Sequence, residues 1–297
     1  MGIDFASLLD SWEIELRSQR RSPQTVKSYR TGVRLFLAWC ETAEVPSILS
    51  RATVAAWVAD LLDQGAEAST AQARLAAVKR FSAWLAEEGE IDRDELLGMR
   101  PPKIDAKVIE PLTDDQLRSL LKACTGGDPF RDRRDEAIVR VMLETGARAG
   151  EVAAMTLSDT NLLGGTAIIR RGKGGKGRVV PFGPQTIRAI DRYVRARRSH
   201  RLAATDALWL GDRGKGFTYS ALYKALGERA AMAGIKGFHP HRLRHTAAHR
   251  WLAAGGTEHG LMAVAGWSTP AMLGRYTKAQ AEARAADEAR KLNLGDL

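Results

Sequence analysis

Cysteine is nearly absent: Cys40 and Cys124 are the two in the chain, far apart and outside any C-x-x-C pair, so neither a zinc site nor a disulfide framework is indicated. No apolar run approaches the roughly 20 residues that cross a bilayer. The N-terminus, MGIDFASLLDSWEIELRSQ, carries early acids where an export signal needs a basic start and an apolar stretch. These absences fit a reducing cytoplasm and no membrane. The turn GKGGKGR is not followed by Ser or Thr, which excludes a Walker A phosphate loop, and no H-E-x-x-H zinc pattern occurs. Nor is there an evident cluster of carboxylates of the kind that holds catalytic Mg²⁺.

What the chain has is positive charge. Lys and Arg number 45 against 35 Asp and Glu, a net of +10 with pI about 9.8, which favours polyanionic partners, nucleic acid ahead of acidic membranes. Residues 1 to 100 hold 12 basic and 15 acidic side chains, leaving 33 and 20 for the remainder, so the basic excess belongs to the second part. At 297 residues and 44% apolar composition, two domains are expected.

Four amphipathic helical patterns fill the first hundred residues. Phe5, Leu8, Leu9, Trp12 and Leu16 mark the first. Ser22 as N-cap and Pro23 as first helical residue open the second, whose stripe runs Val26, Tyr29, Val33, Phe36, Leu37, Cys40. The third carries Val54, Trp57, Val58, Leu61 and Leu62, and the fourth Leu75, Val78, Phe81, Trp84 and Leu85 before Gly89 ends it. Aromatic residues at these spacings read as core and not as a base-stacking platform. Arg20, Arg21, Lys27, Arg30 and Arg34 at the second helix, with Arg74, Lys79 and Arg80 on the fourth, form a candidate local DNA-binding face, although on these helices alone an ordinary solvated face is the plainer reading.

Residues 100 to 112 contain three prolines and no helical stripe, the pattern of an extended linker. The expected division is therefore 1–99 helical bundle, 100–112 linker, 113–297 second domain. Thr113 caps a helix TDDQLRSLLKAC, and another runs through DEAIVRVMLETG. The period then changes: TAIIR and RVVPF flank RGKGGKG as a β-hairpin. From Pro184 onward helices return, so the fold class is mainly α with a small antiparallel β-sheet.

The stretch HPHRLRHTAAHRWL, residues 239 to 252, holds four histidines and three arginines while keeping Leu243, Ala247 and Trp251 on one helical side. A metal site, a basic face and a phosphate-centred catalytic cluster all compete for it. Histidines 241, 245 and 249 lie on successive turns spanning about 12 Å, too far to converge on one ion. His241 and Arg244, at i and i+3, project together. Arg148, in ETGARAGEVAAM, stands at a helix start, where N–H groups and the macrodipole favour an anion. Its fork can hold two phosphate oxygens, although a surface pair with Glu151 is the plainer reading. Lys173 and Lys176 sit among the glycines of the turn. In AGWSTPAMLGRYTK, Trp267 and Tyr276 follow.

The ordered set Arg148, Lys173, His241-Arg242-Leu243-Arg244, Trp267 and Tyr276 resembles the active-site signature of tyrosine recombinases, the phage integrase, Cre and Xer family. The resemblance covers the second domain, and the N-terminal four-helix bundle is similar to the family's SAM-like core-binding module. It implies that Arg148 and Arg244 clamp the scissile phosphate, that Glu151 supports the first of them, and that His241 accepts the phenol proton. Lys173, with Lys176 in reserve, would protonate the leaving 5′ oxygen, and Tyr276 would attack to give a 3′-phosphotyrosyl link. Trp267 replaces the histidine of many members, and indole donates a hydrogen bond without titrating.

No metal or other cofactor is implied. The partners implied are double-stranded DNA with inverted half-sites and further copies of the chain, a dimer per site and a tetramer in synapsis. With the first bundle helix starting near Met1, the extra domain with which some integrases grip arm sites is not expected. The segment 188 to 201, with Arg188, Arg192 and Arg195, is expected to bind backbone phosphates. Two alternatives stay open: an inactive DNA-binding protein and a type IB topoisomerase-like enzyme.

Overall fold

The computed structural model describes residues 4–104, 109–170, 177–269, 273 and 289–292. The chain divides into two compact units, Met1–Lys107 and Val108–Leu297. The division falls inside the proline-bearing segment, whose last residue already belongs to the second unit: Leu112 is buried, and its N–H donates to Thr246 Oγ1 at 2.8 Å.

The first unit is built from α1 (Leu9–Ser18), α2 (Pro23–Thr42), α3 (Arg51–Asp63) and α4 (Ala68–Glu87). Ser22 Oγ accepts the N–H of Thr25 at 3.1 Å, the cap that the sequence implies, and Ser50 does the same for Thr53 at 3.2 Å. The aromatic residues are core: Trp12, Phe36, Trp57 and Phe81 are all buried, with Trp12 stacked on Tyr29 and Phe36 edge-on to Trp57. Helices α2 and α4 approach closely at Gly32, where a Cβ would lie 2.6 Å from Ala77 Cβ.

Charge on this unit is less open than its sequence suggests. Arg30 reaches back across the bundle to Asp10 and Glu13 on α1, and Lys79 donates to the Met99 carbonyl at 2.6 Å. Both hold helices and chain ends together. Arg20, Arg21, Lys27, Arg34 and Arg80 stay exposed and Arg74 is half-buried. Arg17, Arg21, Lys27, Arg30 and Arg34 line a groove of ≈ 580 Å³ beside α1 and α2.

In the second unit, α5 (Asp114–Lys122) opens with a full capping box between Thr113 and Gln116. Helix α6 (Pro129–Thr145) starts earlier than the apolar period implies, because Asp128 caps it and Pro129 begins it. Its charged first turns do not form a solvated face. Arg134 and Asp135 are buried, and Asp132 and Asp135 both take Arg229 of α9 (Tyr219–Met232), at 2.7 and 2.8 Å.

After α7 (Ala149–Ala153) come β1 (Thr160–Asn161), β2 (Thr166–Ile169) and β3 (Arg178–Pro181), antiparallel in that order. The hairpin register pairs Ile169 with Arg178. The two-residue β1 is too short to show a period and is not legible in the sequence. Helices α8 (Pro184–Arg197), α9, α10 (Pro240–Ala253) and α11 (Glu258–Ala265) complete the unit. The core gathers Ile138, Val141 and Met142 of α6, Ile190 and Tyr193 of α8, Leu222 and Leu226 of α9, and Leu243 of α10. Among the described residues, no helix is long and apolar enough to cross a membrane.

Candidate active site

Helix α6 ends at Gly146, whose left-handed φ of 59° turns the chain so that Arg148 becomes the N-cap of α7. A guanidinium cannot accept, so only the acidic half of a capping box forms there. Glu151 Oε2 takes the Arg148 N–H at 3.0 Å, and Oε1 takes Arg148 Nη1 at 2.9 Å. The ordinary ion pair suggested by the sequence is therefore present, and it is what aims Arg148. Glu151 is 4% exposed in its side chain, Arg148 27%.

A third donor to this carboxylate was not singled out in the sequence: Arg178 Nη2 reaches Glu151 Oε2 at 2.8 Å, and its Nε reaches the Val264 carbonyl at 2.7 Å. The available signal was its place, directly after the glycine turn and at the first position of β3. Burial alone would raise the Glu151 pKa. The Arg178 hydrogen bond, the Arg148 N–H and the two guanidinium charges outweigh that and hold the group below its usual range.

Helix α10 begins at Pro240 as its sequence implies, with Leu243 and Ala247 buried and Trp251 half-buried. Arg244, one turn in, is 1% exposed. Its Nη1 donates to two carbonyls at helix C-termini, Gly146 of α6 at 2.5 Å and Ala265 of α11 at 2.8 Å. The negative ends of two helix dipoles thus hold this cation. Trp267 is buried beside it, the Arg244 Cζ lying 5.1 Å from the indole centroid.

Arg148, Glu151, His241 and Arg244 line one cavity of ≈ 590 Å³. Its rim also includes His239 and the exposed Tyr219 and Tyr223 of α9, three residues that sequence reasoning missed because nothing in their spacing separates them from surface or cap positions. His241 opens into the cavity, and buried His245 meets it edge-on at 4.9 Å. Withdrawal from bulk water, then the charge of Arg244, the neighbouring His239 and Arg148, push the His241 pKa down to about 4. His245 is pushed to about 4 chiefly by its burial. In the free protein both rings are therefore neutral near pH 7. Among the described residues, no three His, Cys, Asp or Glu groups converge in a way that would hold a metal ion.

Lys173, Lys176 and Tyr276 lie outside the described residues. Of the arginines expected on the 188–201 segment, Arg188 is exposed on α8, whereas Arg192 is held by both oxygens of Glu136 and Arg195 pairs with Asp191 at 3.0 Å. Arg197 turns inward, buried against the carbonyls of Ala203, Thr205, Ala207 and Leu208. Its role is structural, since the buried fork is spent on backbone carbonyls of the loop that follows α8.

Residues 110–283 match the model of the phage integrase family, and residues 9–89 match its N-terminal SAM-like domain. The chain belongs to the phage integrase family. This integrase-family protein is 30% identical over 250 residues to the tyrosine recombinase XerC of Pseudomonas fluorescens, covering 82% of each chain. It is 30% identical over 267 residues to the tyrosine recombinase XerD of Bifidobacterium longum, covering 84% of this chain and 85% of that one. Its fold is similar to that of the XerH site-specific recombinase bound to a palindromic difH substrate (TM-score 0.74, 17% identity, 95% of this chain and 84% of that one). It is also similar to a lambda integrase dimer bound to a core site (TM-score 0.73, 16% identity, 95% and 97%).

Proposed function

We propose that this integrase-family protein is a site-specific DNA recombinase that cleaves and rejoins strands through a 3′-phosphotyrosyl intermediate. The observation that carries this reading is the convergence of Arg148, His241 and Arg244, from segments about a hundred residues apart in sequence, on one cavity backed by Trp267.

Attack on a phosphodiester concentrates negative charge on the non-bridging oxygens, and fixed guanidinium groups aimed at them lower the barrier. Arg148 and Arg244 meet that charge from two walls. The Tyr276 phenol attacks phosphorus, losing its proton to His241, and the P–O5′ bond breaks as Lys173 protonates the departing 5′ oxygen. A neutral His241 is the form that can accept a proton, and the arriving phosphate, being anionic, raises its basicity from about 4. The phosphotyrosyl ester keeps the free energy of the broken bond, so a 5′ hydroxyl of a second duplex reverses the steps without ATP.

The substrate in this reading is double-stranded DNA with inverted half-sites, one protomer on each and four protomers joining two duplexes, and the work is done on cytoplasmic DNA. The exposed basic groove of the first unit supplies phosphate contacts.

The test is a pool of nicked duplexes randomised on both sides of the nick, from which a released 5′ end cannot religate. Covalent protein–DNA adducts are isolated on denaturing gels, sequenced, and the modified peptide mapped. Adducts on Tyr276 with a shared sequence, absent in Tyr276→Phe, are expected. An adduct that persists in Tyr276→Phe assigns the nucleophile elsewhere. Relaxation of any supercoiled plasmid without sequence preference selects the topoisomerase alternative.

A further inference from the structure

We propose that Arg178 is a positioning residue of this site: one guanidinium from β3 ties the carboxylate that aims Arg148 to the helix end that holds Arg244. The inference rests on the recombinase reading for its rate effects, and on contacts alone for its geometry.

Three observations converge. Arg178, its side chain 12% exposed, is not among the residues that line the cavity. Its two bonded nitrogens point to different elements, Nη2 to Glu151 on α7 and Nε to Val264 at the end of α11. The carbonyl after Val264 is that of Ala265, which takes Arg244 Nη1. Adjacent carbonyls of one helix end therefore receive Arg178 and Arg244, and the same Arg178 holds the acid that receives Arg148. The chain after that helix end is fitted around the guanidinium as well: a Cβ on Gly266 would lie 2.8 Å from Arg178 Cζ. Gly266 directly precedes Trp267.

Lysine cannot reproduce this. An ammonium is a point donor, whereas the task needs diverging N–H groups on a rigid plane. Removing Arg178 leaves Glu151 buried with Arg148 as its one cationic partner among the described residues, and frees the α11 end to shift against Arg244. The charged and titratable groups around Glu151 are Arg148 of its own segment and Arg178 of β3, with Arg244 and His241 of α10 lining the same cavity. Without Arg178, the desolvation of Glu151 is less opposed, its proton affinity rises, and a protonated Glu151 no longer orients Arg148 as an ion pair.

The experiment uses the full chain and its variants Arg178→Gln, Arg178→Lys, Glu151→Gln and the Arg178→Gln/Glu151→Gln pair. The first readout needs no DNA: the Glu151 carboxyl is titrated by carbon NMR with labelled glutamate. Its midpoint is expected below the usual range in the parent chain, higher in Arg178→Gln, and between the two in Arg178→Lys. A midpoint unmoved in Arg178→Gln overturns the proposal.

The second readout is single-turnover adduct formation on the duplex selected from the nicked pool, with the DNA dissociation constant measured alongside. Arg178→Gln is expected to slow cleavage about 10- to 100-fold, the scale of one lost hydrogen bond to a charged group, with DNA affinity unchanged and the acid limb of the pH–rate profile shifted upward. In the Glu151→Gln background, the Arg178 substitution should add little, because both act through one carboxylate. Fully additive losses, or a uniform slowing with an unmoved acid limb, would show that Arg178 only supports the fold. If the parent chain forms no adduct in the pool, the recombinase reading fails, while the carboxyl titration still decides the placement of Arg178.

Discussion

Replacing Arg244 with lysine is the sharpest perturbation of the site. One nitrogen of Arg244 bridges the Gly146 and Ala265 carbonyls in a 1% exposed position, and the residue also lines the cavity. Lysine is shorter and supplies a single point of donation, so it keeps the carbonyl bridge or meets the phosphate, never both. Losing one preorganised donor to a developing oxyanion costs roughly 2.7–4 kcal/mol, or about 10²–10³ in rate. Leaving one buried carbonyl unsatisfied costs about 1–3 kcal/mol of stability. For a folding unit of this size that is a drop in melting temperature on the order of 2–12 °C. The assay is adduct formation under single turnover well below the melting point of Arg244→Lys, with scanning calorimetry on the same protein. Cleavage within about fivefold of the parent rate would falsify the assignment of Arg244 to the phosphate, whatever happens to the melt.

Further outcomes follow from the same structure. The C2 protons of His241 and His245 should titrate with midpoints near 4. The unfolded chain then takes up protons first as pH falls from about 6.5 to 4, and buried His245 alone costs up to roughly 1.4 kcal/mol per pH unit across that window, with no contribution above it. Melting temperatures between pH 7 and 5 should show this slope and His245→Gln should flatten it; a midpoint near 6.5 in the native chain contradicts the reasoning. Gly32→Val forces a side chain where Ala77 Cβ is 2.6 Å from the position of its Cβ, and should destabilise the first unit by about 1–3 kcal/mol in urea titration. An unchanged midpoint there would mean that α2 and α4 separate at no cost. For salt dependence, Arg21→Ala should reduce the log–log slope of DNA binding by about 0.9 for each phosphate that the arginine neutralises, whereas Arg192→Ala, already held by Glu136, should leave it unchanged. Equal slopes for the two variants would refute that division.

The sequence exposed whatever has a local signature. Caps at Ser22 and Thr113, the aromatic stripes of the bundle, and the start of α10 at Pro240 are all written in neighbouring residues, and the structure follows them. The cavity could be anticipated because Arg148, His241 and Arg244 each stand at a helix start that points N–H groups toward an anion, or one turn beyond it. What stayed hidden depends on distant partners. Nothing near Arg134 and Asp135 announces that they will be buried, the first paired with Asp212 and the second with Arg229. Arg197 and Arg188 look alike in a run of arginines, yet one is enclosed by carbonyls and the other faces water. Arg178 escaped notice for the same reason, since its meaning lies in Glu151 and Val264, remote along the chain.

The mooring of Arg148 on Glu151 and of Arg244 on two helix ends sets how this cavity responds to a ligand. Long flexible cations usually lose rotational freedom on capturing an anion, at about 0.5–1.5 kcal/mol for each side chain immobilised. Here that loss is incurred during folding, along with the mutual repulsion of the two guanidinium groups. An incoming phosphate relieves the repulsion and freezes little, so its capture should carry an unusually small entropic penalty from the protein, visible by calorimetry as a contrast with the loose arginines of the first unit.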